Sequence, residues 1–274
     1  MRLLALSSFG RPRGGALGFA AITTCLLSCQ AFAGAWTLAS GEGQIITTTA
    51  RKVVPAGKFF STQNSRETNG FRVFVEYGVM DDLTVGLTGS FETVTQTADL
   101  DMRVGGHVRY RFWQSDAGAV ASVQLGGSYP FSQNLVLGGP SSSAPVRDLR
   151  ADVLYGQGWA TEWGNTFVSA SVGYRWRDSG IADELRLEAT SGLHPTNRWM
   201  SLMNMALVAP FGGPDGLSLV LSPSIVYIDL PYLGKNDKKP DDPGSPSSYQ
   251  LFVSYDVLRP DDGLEVGFSI WNRF

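Results

Sequence analysis

The chain has 274 residues and a formal net charge of −3, with 43% hydrophobic and 17% charged residues. Glycine is enriched at 32 residues, well above the roughly 7% of ordinary globular chains. This aromatic-bearing, weakly charged composition excludes a disordered chain. Nucleic acid is also excluded as a partner, because no Lys/Arg surplus is present to neutralise phosphates.

The N-terminus, residues 1–33, has the pattern of a secretory signal. Three arginines precede a short apolar segment, Ala16–Leu27, and Ala31-Phe32-Ala33 matches a cleavage site. Cleavage after Ala33 is the preferred interpretation. Leu26-Leu27-Ser28-Cys29 supports the alternative of a lipoprotein signal, with lipidation at Cys29.

Cysteine usage bounds the chemistry of the mature chain, residues 34–274. Both cysteines, Cys25 and Cys29, lie within the signal segment. The mature chain would therefore enter an oxidising compartment without forming disulfides. Thiol catalysis and cysteine-ligated metal sites are excluded.

Apolar residues recur at every second position after Gly43, as in Val73, Val75 and Tyr77. Successive side chains of a strand point to opposite faces, so each run has one apolar and one polar face. Turn-forming residues such as Asp81-Asp82 separate several runs. Twelve strands are predicted, with ten and fourteen as alternatives: 44–54, 69–79, 83–95, 101–113, 118–130, 149–161, 165–176, 182–191, 198–208, 217–229, 248–258 and 264–274.

A soluble β-sandwich and an antiparallel transmembrane β-barrel can both bury such strands. Strand lengths of about ten to twelve residues suit a tilted membrane crossing, and charges on the polar face suit a wet lumen. Aromatic residues also gather at strand ends, as in interfacial girdles. One rim is predicted to hold Trp113, Trp159, Trp163, Trp199 and Phe274, and the other Phe91, Tyr129, Phe131 and Trp176.

The last strand favours the barrel and a bacterial outer-membrane location. It alternates apolar residues up to the terminal Phe274, although Asn272 interrupts the pattern. This resembles the C-terminal strand of bacterial outer-membrane barrels. The resemblance implies that Phe268, Ile270 and Phe274 act as an assembly signal. It also implies the barrel assembly machinery and outer-membrane lipid as partners.

Loop lengths leave one conflict in the predicted topology. If both termini are periplasmic, the connections 55–68 and 132–148 face outside, where long loops are expected. The same count places the charged segment Leu230–Ser247 on the periplasmic side, which barrels usually keep short. Either this segment is a true insertion on that side, or the strand count is wrong by two.

Charged residues on the polar faces are the candidates for lining the lumen. The fourth strand carries a basic ladder, which can guide anions along the wall. Alternatively, acids on neighbouring strands, such as Glu92 and Asp152, pair with these cations and close the interior. The candidates are Arg72, Glu76, Arg103, His107, Arg109, Arg111, Arg175, Glu184, Arg186 and Glu188.

The sequence gives no enzyme signature. His107 has the wrong parity for an outer-membrane phospholipase, and neither a G-x-S-x-G nor an H-E-x-x-H motif is present. His194 precedes Pro195 and is interpreted as a solvated turn residue. We therefore predict no catalytic residues, no metal site and no cofactor.

Three short stretches resemble a known family. They are Gly34–Gln44 at the mature start, Glu76–Gly86 at a predicted hairpin, and the terminal Trp271-x-x-Phe274. Together they resemble small outer-membrane barrels of the meta-pathway transporter-like type, and more closely the XagA-like proteins of exopolysaccharide and biofilm loci. The resemblance implies a barrel but defines no functional residue.

Three functions follow as hypotheses. The first is a pore or accessory conduit for small solutes, such as anions, or for a secreted polysaccharide. The second is a barrel with a blocked lumen that uses its loops for surface interactions. An outer-membrane hydrolase is third, because it needs a nucleophile–base pair that the sequence does not supply.

Overall fold

The computed structural model describes residues 34–54, 66–95, 100–130, 147–178, 182–211, 216–229 and 247–274. The predicted signal peptide with its cleavage site, Cys29 and Phe131 lie outside these residues. Within the described ranges, no helix is long and apolar enough to cross a membrane.

Twelve antiparallel strands close into one barrel in the described part of the chain, each paired with its sequence neighbours. The predicted fold class and the preferred strand count are therefore confirmed. The strands are β1 Gly43–Val54, β2 Arg66–Met80, β3 Leu83–Val94, β4 Leu100–Gln114, β5 Val120–Pro130, β6 Asp148–Thr161, β7 Gly164–Arg177, β8 Glu184–His194, β9 Trp199–Pro210, β10 Ser218–Asp229, β11 Ser247–Asp256 and β12 Leu264–Arg273.

The first and last strands close the barrel. Their register runs from Gln44 opposite Arg273 to Val53 opposite Leu264. The backbones of Gly43 and Phe274 add a reciprocal pair of hydrogen bonds at 2.8 and 3.0 Å. Closure leaves no unpaired sheet edge, which a membrane requires because lipid cannot satisfy backbone polar groups.

The distribution of side chains is the inverse of that in a soluble protein. Leu87, Leu125 and Leu149 are each 65% exposed on the outer face, whereas Glu76 and Arg109 are 3% and 7% exposed inside. An outer apolar surface around a polar interior is the pattern of a membrane barrel. The aromatic residues predicted at the two rims, apart from Phe131, are all at least 40% exposed. They lie near the two ends of the strands, as predicted.

The two ends of the barrel differ in their connections. We call the end where β1 begins and β12 ends the terminal end, and the other the opposite end. Turns 81–82 and 162–163 lie at the terminal end, while the long connections 55–65 and 131–147 lie at the opposite end. β10 ends and β11 begins at the terminal end, so the count of twelve stands, while residues 230–246 lie outside the described residues.

Candidate functional site

Alternation along β2, β4, β7 and β8 places the ten predicted lumen residues on one face of each strand. Contacts between non-adjacent strands identify that face as the inner one. Glu76 on β2 reaches Arg109 on β4, and Arg72 on β2 reaches Glu265 on β12. Each contact spans one intervening strand along the inner face of the wall.

Glu76 is the centre of a buried polar cluster near the terminal end. Its Oε1 accepts hydrogen bonds from Arg109 Nη2 at 2.8 Å and from His107 Nε2 at 2.9 Å, and its Oε2 accepts one from Gln44 at 2.6 Å. The His107 ring also stacks on Phe74, with centroids 5.7 Å apart. Glu76 thus neutralises the middle of the predicted basic ladder.

A second cluster surrounds Asp148, towards the opposite end. Asp148 accepts a hydrogen bond from Arg103 at 3.0 Å and another from Ser128 at 2.9 Å. It also pairs with Arg175 from β7. Glu184 binds Arg175 at 3.4 Å and Arg177 at 2.8 Å, so the ion pairs continue onto β8.

The remaining inner charges form further pairs. Arg150 contacts Asp152 at 2.6 Å and Glu188 at 2.9 Å, and Glu188 also contacts Arg186 at 3.1 Å. Arg72 contacts Glu265 at 3.2 Å and Glu92 at 3.3 Å. Arg111 differs, because its Nη2 donates to the backbone carbonyl of Asp81 at 2.9 Å.

This geometry favours the paired interpretation of the ladder over that of an open basic track. We call the inner face of β2–β8 the ion-paired wall. Three of its charged members, Arg150, Arg177 and Asp148, were not among the ten predicted lumen residues, and neither was Glu265 of β12, which pairs with Arg72 of the wall. Alternation along their strands alone assigns all four to the inner face. Asp148 was not considered because the predicted strand began one residue later, at 149.

Between the charges of β8 and those of Asp256 and Glu265 at the opposite end, the lumenal face from β8 through β12 to β1 carries neutral polar side chains. The hydroxyl oxygens of Thr48 and Ser269 lie 2.9 Å apart, and those of Ser222 and Ser254 lie 2.7 Å apart. Gln250 donates to Ser224 at 2.9 Å, and Thr190 donates to Asn204 at 2.7 Å. We call this surface the hydroxyl wall. Ion pairs thus dominate one side of the interior, and uncharged hydrogen-bonding groups dominate the other.

Residues Gly34–Glu42 fold back into the terminal end of the barrel, and we call them the lumenal segment. Ala35, Trp36, Thr37 and Leu38 are all at most 6% exposed. Their backbone is bound by the wall: Ser122 donates to the Ala35 carbonyl at 2.5 Å, and the Leu38 N–H donates to Thr84 at 2.9 Å. The sequence marks this stretch as a motif but does not predict its location.

Trp36 anchors the lumenal segment in a small apolar cluster. Its ring meets Phe167 edge-on, with centroids 6.4 Å apart. A Cβ on Gly156 would lie 2.6 Å from the same ring, so the wall needs a glycine there. The cluster consists of Ala35, Trp36, Val120, Leu154, Phe167, Met200, Leu202 and Val226, with Ile228 and Trp271 packed against it.

The interpretation of His194 as a solvated turn residue is wrong. His194 is the last residue of β8, and its ring lies 6.4 Å from that of Phe167. Its Nε2 is buried without a hydrogen-bond partner in the described residues. Pairing with Asn165 extends the strand to this position, so the ring lies beside the apolar cluster.

Asp183 lies at the opposite end, in the connection before β8. Hydrogen bonds from the backbone N–H of Arg177 and the hydroxyl of Tyr174 lower the pKa of its carboxyl below the usual value. The two contacts measure 2.8 and 2.9 Å. Asp183 therefore fastens the rim of the ion-paired wall.

Comparison with solved structures finds outer-membrane barrels. The chain resembles an outer membrane channel from Pseudomonas putida F1, at 10% identity, 88% and 98% coverage of the two chains and a TM-score of 0.55. It also resembles the translocator domain of the autotransporter NalP from Neisseria meningitidis, at 10% identity, 94% and 96% coverage and a TM-score of 0.47. The first likeness shows a common fold.

Comparisons of the sequence itself give no relative. No family model matches the chain, and no curated protein is similar to it. The resemblance to XagA-like and meta-pathway proteins therefore stays a prediction.

Proposed function

We propose that this chain is an outer-membrane conduit for small solutes or a secreted polysaccharide, closed at its terminal end by the lumenal segment. The observation that carries the proposal is the polar inner face, with an ion-paired wall beside a hydroxyl wall. Such a face offers hydrogen-bonding groups to a polar solute, which an apolar lining would not. The terminal end would face the periplasm.

The chemistry of the walls suits polar solutes of low net charge. Hydroxyl and amide groups can exchange their mutual hydrogen bonds for bonds to a passing sugar or similar solute. The paired arginines present little uncompensated charge, so a strong preference for anions is not expected. A polysaccharide cargo, in an exopolysaccharide or biofilm setting, is the finer form of this proposal.

The test is single-channel recording on residues 34–274 refolded in detergent and inserted into a planar lipid bilayer. We expect small or infrequent current steps for the unaltered chain and severalfold larger steps for Trp36→Ala, which removes the side chain that anchors the lumenal segment. Trp163→Ala is the matched control, because Trp163 is 70% exposed on the rim. Heat-modifiable electrophoretic mobility verifies that each variant is folded.

The second candidate is a barrel with a permanently blocked lumen that acts through its loops. The network of ion pairs along the inner wall and the seated lumenal segment favour it. Folded barrels that conduct neither as the unaltered chain nor as Trp36→Ala would rule out the conduit and leave this alternative.

A further inference from the structure

The outer surface has a groove over β3–β7, near the opposite end, with a volume of about 790 Å³. Its floor is one lateral row of paired residues. Leu87 is opposite Gly106, Gly106 is opposite Gly127, and Gly127 is opposite Leu149. Two neighbouring strands therefore carry no side chain at this level, while a leucine stands on each side.

The groove is deep because its flanking side chains protrude. Leu87 and Leu149 are each 65% exposed. They stand three strand spacings apart, or roughly 14 Å, with only backbone between them. Val104 and Tyr129 continue the groove towards the opposite end. An extended hydrocarbon chain fits this shape, because it can lie along the strands against the glycine backbone.

A cation and two aromatic rings border the groove on the side nearest the opposite end of the barrel. Arg147 comes directly before β6, and its guanidinium lies 5.0 Å from the centre of the Tyr129 ring. Trp176 pairs with Leu149 and is 48% exposed. Aromatic side chains of this kind mark the level of lipid head groups, so the exposed Arg147 lies where a head-group phosphate would be.

We propose that this groove is a binding site for one anionic membrane lipid. Its acyl chain would lie over Gly106 and Gly127, and its phosphate would bind Arg147. Lipid is the fitting occupant because the groove lies within the outer apolar belt. Asp178 also borders the groove and accepts the backbone N–H of Arg147, which leaves the guanidinium as the group that complements an anionic head group. The site is independent of whether the lumen conducts.

The test uses the full mature chain purified in detergent and mixed with either phosphatidylglycerol or phosphatidylcholine. Native mass spectrometry then counts the lipids that each chain retains. We expect one tightly retained phosphatidylglycerol per chain and at least fivefold less phosphatidylcholine. Equal retention of the two lipids by the unaltered chain would overturn the proposal.

Two substitutions separate the parts of the site. Gly106→Leu fills the groove, where the added Cβ would be 3.2 Å from the nearest atom, and should lower phosphatidylglycerol retention at least fivefold. Arg147→Gln should remove the preference for phosphatidylglycerol while some lipid is still retained. Both variants must keep the heat-modifiable mobility of a folded barrel.

Matched controls test whether the position matters. Ala189→Leu places the same leucine side chain on the outer side of β8, away from the groove, and Arg198→Gln removes a cation at the terminal end. Neither should alter retention. If Ala189→Leu lowers retention as much as Gly106→Leu does, or if Arg147→Gln leaves the preference intact, the site is not where we place it.

Discussion

Arg109 joins the carbonyl oxygen of Trp36 to the carboxylate of Glu76, with contacts of 3.0 and 2.8 Å from the two ends of its guanidinium. The same side chain therefore fixes the lumenal segment and neutralises a buried acid. Because a planar guanidinium presents its donors in a rigid fork, the two contacts reinforce each other's geometry. The seating of the lumenal segment and the neutralisation of Glu76 therefore depend on the same arginine.

Removing the charge of Glu76 should destabilise the barrel. Glu76→Gln leaves Arg109 and His107 without their shared carboxylate, and breaking a buried ion pair costs about 3–5 kcal/mol. The measurement is the urea midpoint of unfolding in detergent, followed by heat-modifiable mobility. Glu67→Gln is the control, because the Arg51–Glu67 pair is 59% and 28% exposed and is worth about 0–1 kcal/mol. Equal effects would contradict the central role of Glu76.

Bulk at Gly156 should expel the lumenal segment. Gly156→Leu would drive side-chain atoms into the Trp36 ring, since a Cβ alone comes within 2.6 Å of it. Residues 34–274 contain no cysteine, so Ala35→Cys in that chain gives a single thiol that reacts slowly with a polar maleimide while it is buried. We expect much faster labelling in the Gly156→Leu background.

Two controls define the rates expected for an exposed thiol and for a protected one. Ser40→Cys lies on an exposed residue of the same segment and should react rapidly in every background. Gly89→Leu adds equal bulk where a Cβ meets no atom within 4 Å and should leave the thiol at residue 35 protected. Slow labelling with Gly156→Leu would show that the segment withstands the added bulk.

The ion-paired wall should give the conducting form weak ion selectivity. In Trp36→Ala, the reversal potential across a KCl gradient should lie near zero, because the described inner arginines are largely paired. Arg103→Gln leaves Asp148 with one cationic partner fewer and should shift selectivity towards cations. A strong anion preference that disappears in Arg103→Gln would instead support the open basic track.

The rim contact at Asp183 should make stability depend on pH. Because hydrogen bonds lower the folded-state pKa of this carboxyl, its contribution is complete above the usual value of 3.8. It is lost as the pH falls through the lowered value. The unfolding temperature of Asp183→Asn should therefore be slightly lower than that of the unaltered chain at neutral pH. The two temperatures should converge in acid. A constant difference at every pH would contradict the assignment.

Phe274 should matter more for assembly than for stability. Its side chain is 58% exposed, while its backbone makes both hydrogen bonds with Gly43. Phe274→Ala keeps those bonds, so the refolded barrel should retain its unfolding midpoint. Expression in a Gram-negative host should nevertheless yield less heat-modifiable barrel in the outer membrane. An unchanged yield would remove Phe274 from the proposed assembly signal.

The fold could be read largely from local pattern. Alternation in strands such as Leu83–Val94 assigns each side chain to a face without knowledge of its neighbours, because the period of a strand is two. Turn residues such as Asp81-Asp82 then limit the strand ends. His194 shows where this fails: Pro195 signals a turn, but pairing of His194 with Asn165 extends the strand.

The sequence by itself therefore determined the strands, their two faces and the presence of an inner set of charges, since these depend only on residue order. The tertiary structure decided which charges pair and where residues 34–42 lie. Pairs such as Arg72 with Glu265 join residues 193 positions apart, and the seat of Trp36 is assembled from several strands. Such contacts depend on register and closure, which no local pattern specifies.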